Sequence, residues 1–141
     1  VWPLIWENAY AVVGYPFEGN LVFEVSEKDY LWLYAIHEGS HPSARKAIEP
    51  LYEKIIEMMP GKNPDAKVGS FEEHFNIAIE TAMIHPKVFS YEFRESYLSR
   101  AKERFILLGI FYDAAVAYAK DRKGSLTDLA ENILEQIKAK Q

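Results

Sequence analysis

An almost uninterrupted apolar run, Tyr30 to Ile36, leads directly into the sequence His37-Glu38-Gly39-Ser40-His41. A helix made of this run has almost no polar face, so we expect it to be surrounded by protein as far as the histidines. Positions i and i+4 of a helix lie one turn apart on the same face, which places the imidazoles of His37 and His41 side by side, next to Glu38. The H-E-x-x-H pattern therefore predicts a zinc site at the end of a buried helix.

Two other interpretations of this motif stay open. The histidines can simply help the C-terminal end of a helix, where positive charge is favourable. The segment Glu38-Gly39-Ser40-His41 is also Glu-x-x-His, the ligand pair of di-iron carboxylate bundles. Such bundles need two of these motifs, and the chain contains one, so zinc is the preferred interpretation.

Composition favours a single domain over residues 1–141. A chain of 141 residues with 49% hydrophobic content can bury one sizeable core. The net charge of -5 argues against nucleic-acid binding, because lysines and arginines are interleaved with acids. The chain begins with Val1 instead of methionine, which is compatible with its being a fragment of a longer chain.

The absence of cysteine restricts the chemistry of any metal site. With no cysteine in the chain, a zinc site must be built from histidine and carboxylate, and disulfides and thiol nucleophiles are excluded. No apolar run approaches membrane-spanning length, and the N-terminus lacks the basic and then apolar layout of a signal peptide. We expect a soluble chain whose compartment the sequence does not define.

The first 25 residues are rich in aromatic and β-branched residues and predict two strands, Ala9–Val13 and Leu21–Val25. Ser26 is the expected N-cap of the motif helix, and Pro42 is expected to end or kink it at His41. With helices downstream, this order predicts an α+β fold that is mostly α-helical and zincin-like. Its short N-terminal strands precede the motif helix, a glutamate helix and packing helices.

The remaining elements follow from apolar spacing and from proline and glycine. We expect a helix from Ser43 to Met59 with a kink or restart at Pro50, and then a loop from Pro60 to Gly69. A helix that carries several acidic residues should run from Ser70 to Ile84 and stop before Pro86. Packing helices follow, and the last of them spans Leu126–Ile137.

A catalytic zinc takes three protein ligands and keeps a fourth position for water, so a third ligand must come from downstream. The candidates are Glu72, Glu73, His74, Glu80 and His85. We select Glu73, although Ser70-x-x-Glu73 is also a capping box in which the carboxylate would bind a backbone N–H. Glu80 lies two turns further along the same face and could orient a histidine.

Three segments carry a resemblance to a known family. Phe23-Glu24-Val25, Ile36-His37-Glu38-Gly39-Ser40-His41-Pro42 and Phe71-Glu72-Glu73-His74-Phe75-Asn76-Ile77-Ala78 resemble the DUF4932 family. That family pairs an H-E-F-x-H-like helix with a later glutamate helix. The chain is also similar to the wider gluzincin metallopeptidases, although no aspartate follows Glu73 at the offset by which thermolysin-like gluzincins steady a histidine.

The resemblance implies that Zn²⁺ is bound by His37, His41 and Glu73, with Glu38 as the general base in hydrolysis of a peptide or protein substrate. Three residues are candidates to stabilise the oxyanion, namely His85, Tyr91 and Tyr97. Strand Ala9–Val13 is either the edge on which an extended peptide is bound or an ordinary core strand. The alternative function is a non-catalytic metal-binding or interaction domain of a larger protein, in which His74 or His85 closes the zinc site.

Overall fold

A computed structural model describes residues 28–140 of the chain, with side chains from Trp32 onward. Every regular element in this part is helical. In chain order these are α1 (Lys28–Ile48), a 3-10 turn (Glu49–Leu51), α2 (Tyr52–Met58), α3 (Pro64–Ile79), a π-helical turn (Glu80–Ile84), α4 (His85–Val88), α5 (Tyr91–Arg104), α6 (Leu108–Asp121) and α7 (Leu126–Lys138).

The α+β, zincin-like fold class expected from the sequence is wrong. Between residues 28 and 140 the structure contains helices only, with neither strand nor sheet. The expectation of a sheet depended on Ala9–Val13 and Leu21–Val25, and both predicted strands lie outside the described residues. From residue 28 onward the apolar side chains recur at helical spacing, and helix-on-helix packing buries them without a sheet.

Helix α1 passes through Pro42 without ending there. Of the two expectations for Pro42, a helix end at His41 with a new start at Ser43 is therefore wrong, and a kink stays a prediction. A proline inside a helix removes one backbone hydrogen bond and costs roughly 3 kcal/mol. Beyond it, Ala44, Ala47 and Ile48 are buried, and full burial of an isoleucine alone contributes roughly 1.5–3 kcal/mol. Core packing of the last two turns thus offsets the proline.

The other half of α1 is less buried than its composition suggests. Trp32 is 50% exposed, and Leu33, Tyr34 and Ile36 are only half-buried. The expectation that protein surrounds this helix as far as the histidines is wrong. The apolar sequence of this half therefore predicted a helix correctly, but it did not predict how much of that helix is buried.

Helix α3 begins six residues earlier than the sequence analysis places it. Asn63 is its N-cap, because the Asn63 side chain accepts a hydrogen bond of 3.0 Å from the backbone N–H of Ala66. Pro64 occupies the first helical turn, where its missing N–H would have no helical partner in any case. The loop predicted over Pro60–Gly69 therefore ends at Asn63, and Ser70 lies in the interior of α3.

A π-helical turn joins α3 to α4, so the helical path does not stop before Pro86 as expected. The hydroxyl of Thr81 donates to the carbonyl of Ile77 at 2.6 Å and to that of Ala78 at 3.2 Å. A π-helical turn widens the hydrogen-bond pattern, and a side-chain donor of this kind helps to satisfy the carbonyls next to it.

Aromatic rings on α3 and α6 form the centre of the core. Phe71 stacks with Phe75 on α3 and meets Phe111 on α6 edge to face, with ring centroids 4.9 Å apart in the second pair. All three are fully buried. The hydroxyl of Thr127 on α7 donates to the carbonyl of Ala47 at 2.9 Å, which ties the last helix to the end of α1. Consecutive residues of α3 are thus held in fixed positions.

The chain divides into two units, Val1–Ser40 and His41–Gln141, with the boundary inside α1. The single domain expected from composition stays a prediction. No helix within residues 28–140 has both the length and the apolar character that crossing a bilayer requires.

Candidate metal centre

His41 on α1 faces two consecutive glutamates of α3, one with each ring nitrogen. Its Nδ1 lies 3.0 Å from Oε1 of Glu72, and its Nε2 lies 3.6 Å from Oε1 of Glu73. A carboxylate offers only acceptors, so Nδ1 carries the proton of this hydrogen bond, and in the neutral ring the lone pair is then on Nε2. The nitrogen that can bind a metal is thus the one that faces Glu73.

His37, His41 and Glu73 form a group that could hold a metal ion. Each offers one nitrogen or oxygen, and the three atoms all lie within 4.8 Å of one another. His37 precedes His41 by one turn of the continuous helix α1, and the Ser40 hydroxyl donates to the His37 carbonyl at 3.0 Å. The structure therefore brings together the three residues that the sequence analysis selected as ligands.

The distances within this group suit zinc. Two donor atoms each about 2.1 Å from a tetrahedral ion lie roughly 3.4 Å from one another. The 3.6 Å between His41 Nε2 and Glu73 Oε1 is close to that separation. The other separations in the group are at most 4.8 Å, so side-chain movements of up to about 1.4 Å bring all three atoms to the spacing of one ion.

Glu73 is not the member of a capping box. Because Asn63 caps α3, Ser70 and Glu73 lie on its second and third turns, where backbone N–H groups bond to carbonyls four residues earlier. The side chain of Glu73 is 43% exposed, which leaves it able to reach a metal. The alternative role of this carboxylate as a cap is therefore wrong.

His74, the neighbouring candidate, points into the core. Its Nδ1 donates to the carbonyl of Ser70 at 2.7 Å, and its ring lies about 5 Å from those of Phe105 and Phe111. Burial lowers the pKa of His74 below its ordinary value, so the ring is neutral at pH 7. It is a core histidine and is not a member of the metal group.

Glu80 and His85 belong to a second, fully buried polar cluster at the π-helical turn. The hydroxyl of Tyr97 donates to Oε1 of Glu80 at 2.9 Å, and Nε2 of His85 lies 3.9 Å from the same oxygen. Phe89 and Tyr97 place their rings against that of His85. The role of Glu80 in orienting a motif histidine stays a prediction.

Two of the proposed oxyanion donors, His85 and Tyr97, lie together in the Glu80 cluster, and the third, Tyr91, is exposed. The hydroxyl of Tyr97 donates to Glu80, and Tyr91 is exposed with the guanidinium of Arg94 over its ring. His85 is fully buried. Their participation in oxyanion stabilisation stays a prediction.

Sequence reasoning missed the contacts that Glu72 and Arg45 make at this centre. From the sequence, Glu72 was only an alternative third ligand and Arg45 was not a candidate. Arg45 donates from Nη2 to Oε1 of Glu72 at 2.9 Å and from Nε to Oε2 at 3.3 Å. This pairing raises the pKa of Arg45 above its usual range. The available signal was the spacing of His41 and Arg45, which at i and i+4 share one face of α1.

Between residues 28 and 140, fold and site together define an all-helical arrangement whose first helix carries H-E-x-x-H and whose third carries Glu73. No protein-family model, curated protein or solved structure matches the chain. The resemblance to the DUF4932 family and to gluzincins therefore stays a prediction.

Proposed function

We propose that the protein is a zinc-dependent hydrolase of peptide bonds, with His37, His41 and Glu73 as zinc ligands and Glu38 as the general base. The observation that carries the proposal is the grouping of three ligand atoms within 4.8 Å, supplied by two turns of α1 and one position of α3. The proposal concerns the site and requires no zincin sheet.

The ligand set favours zinc over harder or softer metals. Two imidazole nitrogens and one carboxylate oxygen form the type of set found at catalytic zinc, whereas magnesium and calcium prefer oxygen ligands throughout. The chain contains no cysteine, so it offers no thiolate to the metals that prefer sulfur ligands. Among the described residues the group has three members, which leaves a fourth position for water. A purely structural zinc would take a fourth protein ligand.

The chemistry divides between the metal and Glu38. When bound, zinc supplies Lewis acidity that lowers the pKa of a coordinated water and polarises a substrate carbonyl. Glu38 is half-buried and directly follows His37 in α1. Its carboxylate takes a proton from the attacking water and gives it to the amide nitrogen as the C–N bond breaks. The products are an acid and an amine, and Glu38 ends ionised as it began.

Replacement of Glu38 by glutamine separates binding from catalysis. Glu38→Gln should keep one zinc per chain by elemental analysis and lose at least 100-fold in cleavage rate, because general base catalysis is typically worth 100- to 10,000-fold. Cleavage is measured by mass spectrometry on a mixed peptide library. Glu57→Gln, at an exposed position of α2, is the matched control and should cleave like the wild type.

Three results would count against the proposal. The first is a wild-type chain that takes up no zinc, and the second is a zinc-loaded chain that cleaves no peptide bond. The third is Glu38→Gln with undiminished cleavage, which would remove the general base while leaving the metal site in place.

A further inference from the structure

We infer that Glu72 is the positioning residue for His41, and that Arg45 fixes Glu72 in that role. The inference rests on the proposed zinc site and identifies the support that holds one of its ligands. It assigns to a glutamate next to the ligand the task that thermolysin-like gluzincins give to an aspartate further along the helix.

The hydrogen bonds of Glu72 leave its carboxylate little freedom. Its Oε1 accepts from Nδ1 of His41 at 3.0 Å and from Nη2 of Arg45 at 2.9 Å, while Oε2 accepts from Nε of Arg45 at 3.3 Å. The side chain of Glu72 is only 11% exposed. Both of its partners come from α1, one turn apart, so the carboxylate of α3 is held by two residues of the facing helix.

Such a contact decides which nitrogen of His41 can bind a metal. In the neutral ring, the bond to Glu72 places the proton on Nδ1 and leaves the lone pair on Nε2, which faces Glu73. In the other tautomer Nε2 carries the proton and cannot be a ligand. A carboxylate hydrogen-bonded to a ligand histidine also fixes the orientation of the ring and raises the basicity of its other nitrogen.

Arg45 explains why two adjacent carboxylates have different roles. The guanidinium binds both oxygens of Glu72 in the planar, two-bond geometry that arginine forms with carboxylates. The charge of Glu72 is thereby offset, and its oxygens are directed at α1. Glu73 lies at the opposite nitrogen of His41, where the metal would be bound.

The decisive variants are Glu72→Leu, which removes the acceptor, and Glu72→Gln, which keeps one amide oxygen for Nδ1–H. Zinc affinity is measured by competition with a chromogenic chelator. Loss of such a supporting partner typically weakens metal binding 10- to 100-fold, which is the expected effect of Glu72→Leu with one zinc still bound per chain. Glu72→Gln should lose less than 10-fold, and Glu53→Leu, at an exposed position of α2, should match the wild type.

A second readout follows the tautomer directly. Two-bond ¹H–¹⁵N correlation of the metal-free protein reports which ring nitrogen of His41 is protonated, with its signal assigned from the spectrum of His41→Gln. The wild type should show Nδ1–H, and Glu72→Leu should show mixed tautomers or Nε2–H. Glu72→Ala, which also lacks the acceptor, serves the same comparison if the leucine variant fails to fold, and Glu72→Gln should keep Nδ1–H.

An unchanged tautomer or an unchanged zinc affinity in Glu72→Leu overturns the inference. A loss in Glu72→Leu as large as that in Glu73→Leu also overturns it, because Glu72 would then be a ligand. A wild-type chain that binds no zinc refutes the proposed function instead. The tautomer comparison in the metal-free protein would then still show whether Glu72 positions the ring of His41.

Discussion

At the residue scale, the two ring nitrogens of His41 have separate partners, Glu72 on one side and Glu73 on the other. A metal-binding imidazole needs this asymmetry, because one nitrogen must carry the proton and the other must offer its lone pair. His74 also has a hydrogen-bond partner for Nδ1, which donates to the carbonyl of Ser70. Its other nitrogen, however, is enclosed by the core.

Replacement of His74 by phenylalanine should leave zinc binding within about threefold of the wild type. The ring of His74 already packs against Phe105 and Phe111, so a phenylalanine of similar shape fits the same space. Glu73→Gln in the adjacent position should weaken zinc binding by more than tenfold. Equal losses in the two variants, measured by chelator competition, would show that position 73 has no special role.

The H-E-x-x-H motif and Glu73 could be selected from the sequence because helical spacing depends only on residues that are close along the chain. Helical periodicity alone places His37 and His41 on one face and identifies Glu73 as a residue of a later helix. The contacts of Glu72 were not selectable in this way, because its partners lie 31 and 27 residues away along the chain. Which of two adjacent glutamates faces which nitrogen depends on how α1 and α3 pack.

At the element scale, the start of α3 decides how Glu73 is interpreted. The residues Asn63, Pro64 and Asp65 are a cap, a first-turn proline and a first-turn acid. Proline, glycine and asparagine also mark loops, which is why the sequence analysis assigned this stretch to a loop and placed the cap at Ser70. Once Asn63 is the cap, the competing role of Glu73 disappears.

A pair of alanine substitutions distinguishes the two possible caps. Asn63→Ala should lower the free energy of unfolding by about 1 kcal/mol, because it removes the acceptor for the Ala66 N–H. Ser70→Ala should cause no comparable loss, since alanine is the better helix former inside α3. Both are measured by urea unfolding of the metal-free protein. The opposite ranking would return the cap to Ser70.

At the scale of the whole molecule, the helices from residue 28 onward arise from apolar spacing, and the sequence analysis recognised most of them. The α+β class was wrong, because it depended on an interpretation of the first 25 residues, which lie outside the described part of the chain. Core burial explains the error at Pro42. The rule that proline ends a helix is local, whereas Ala44, Ala47 and Ile48 are buried in a core cluster whose members extend to Ile137.

Zinc binding by His37, His41 and Glu73 is tested most directly by an anomalous difference map, collected at the zinc absorption edge from a crystal of the zinc-loaded protein. We expect one peak per chain about 2.1 Å from a nitrogen of His37, from Nε2 of His41 and from an oxygen of Glu73, with Glu72 still bonded to Nδ1 of His41. A fully loaded crystal whose peak lies elsewhere, or whose zinc is bound by Glu72 in place of Glu73, would contradict it.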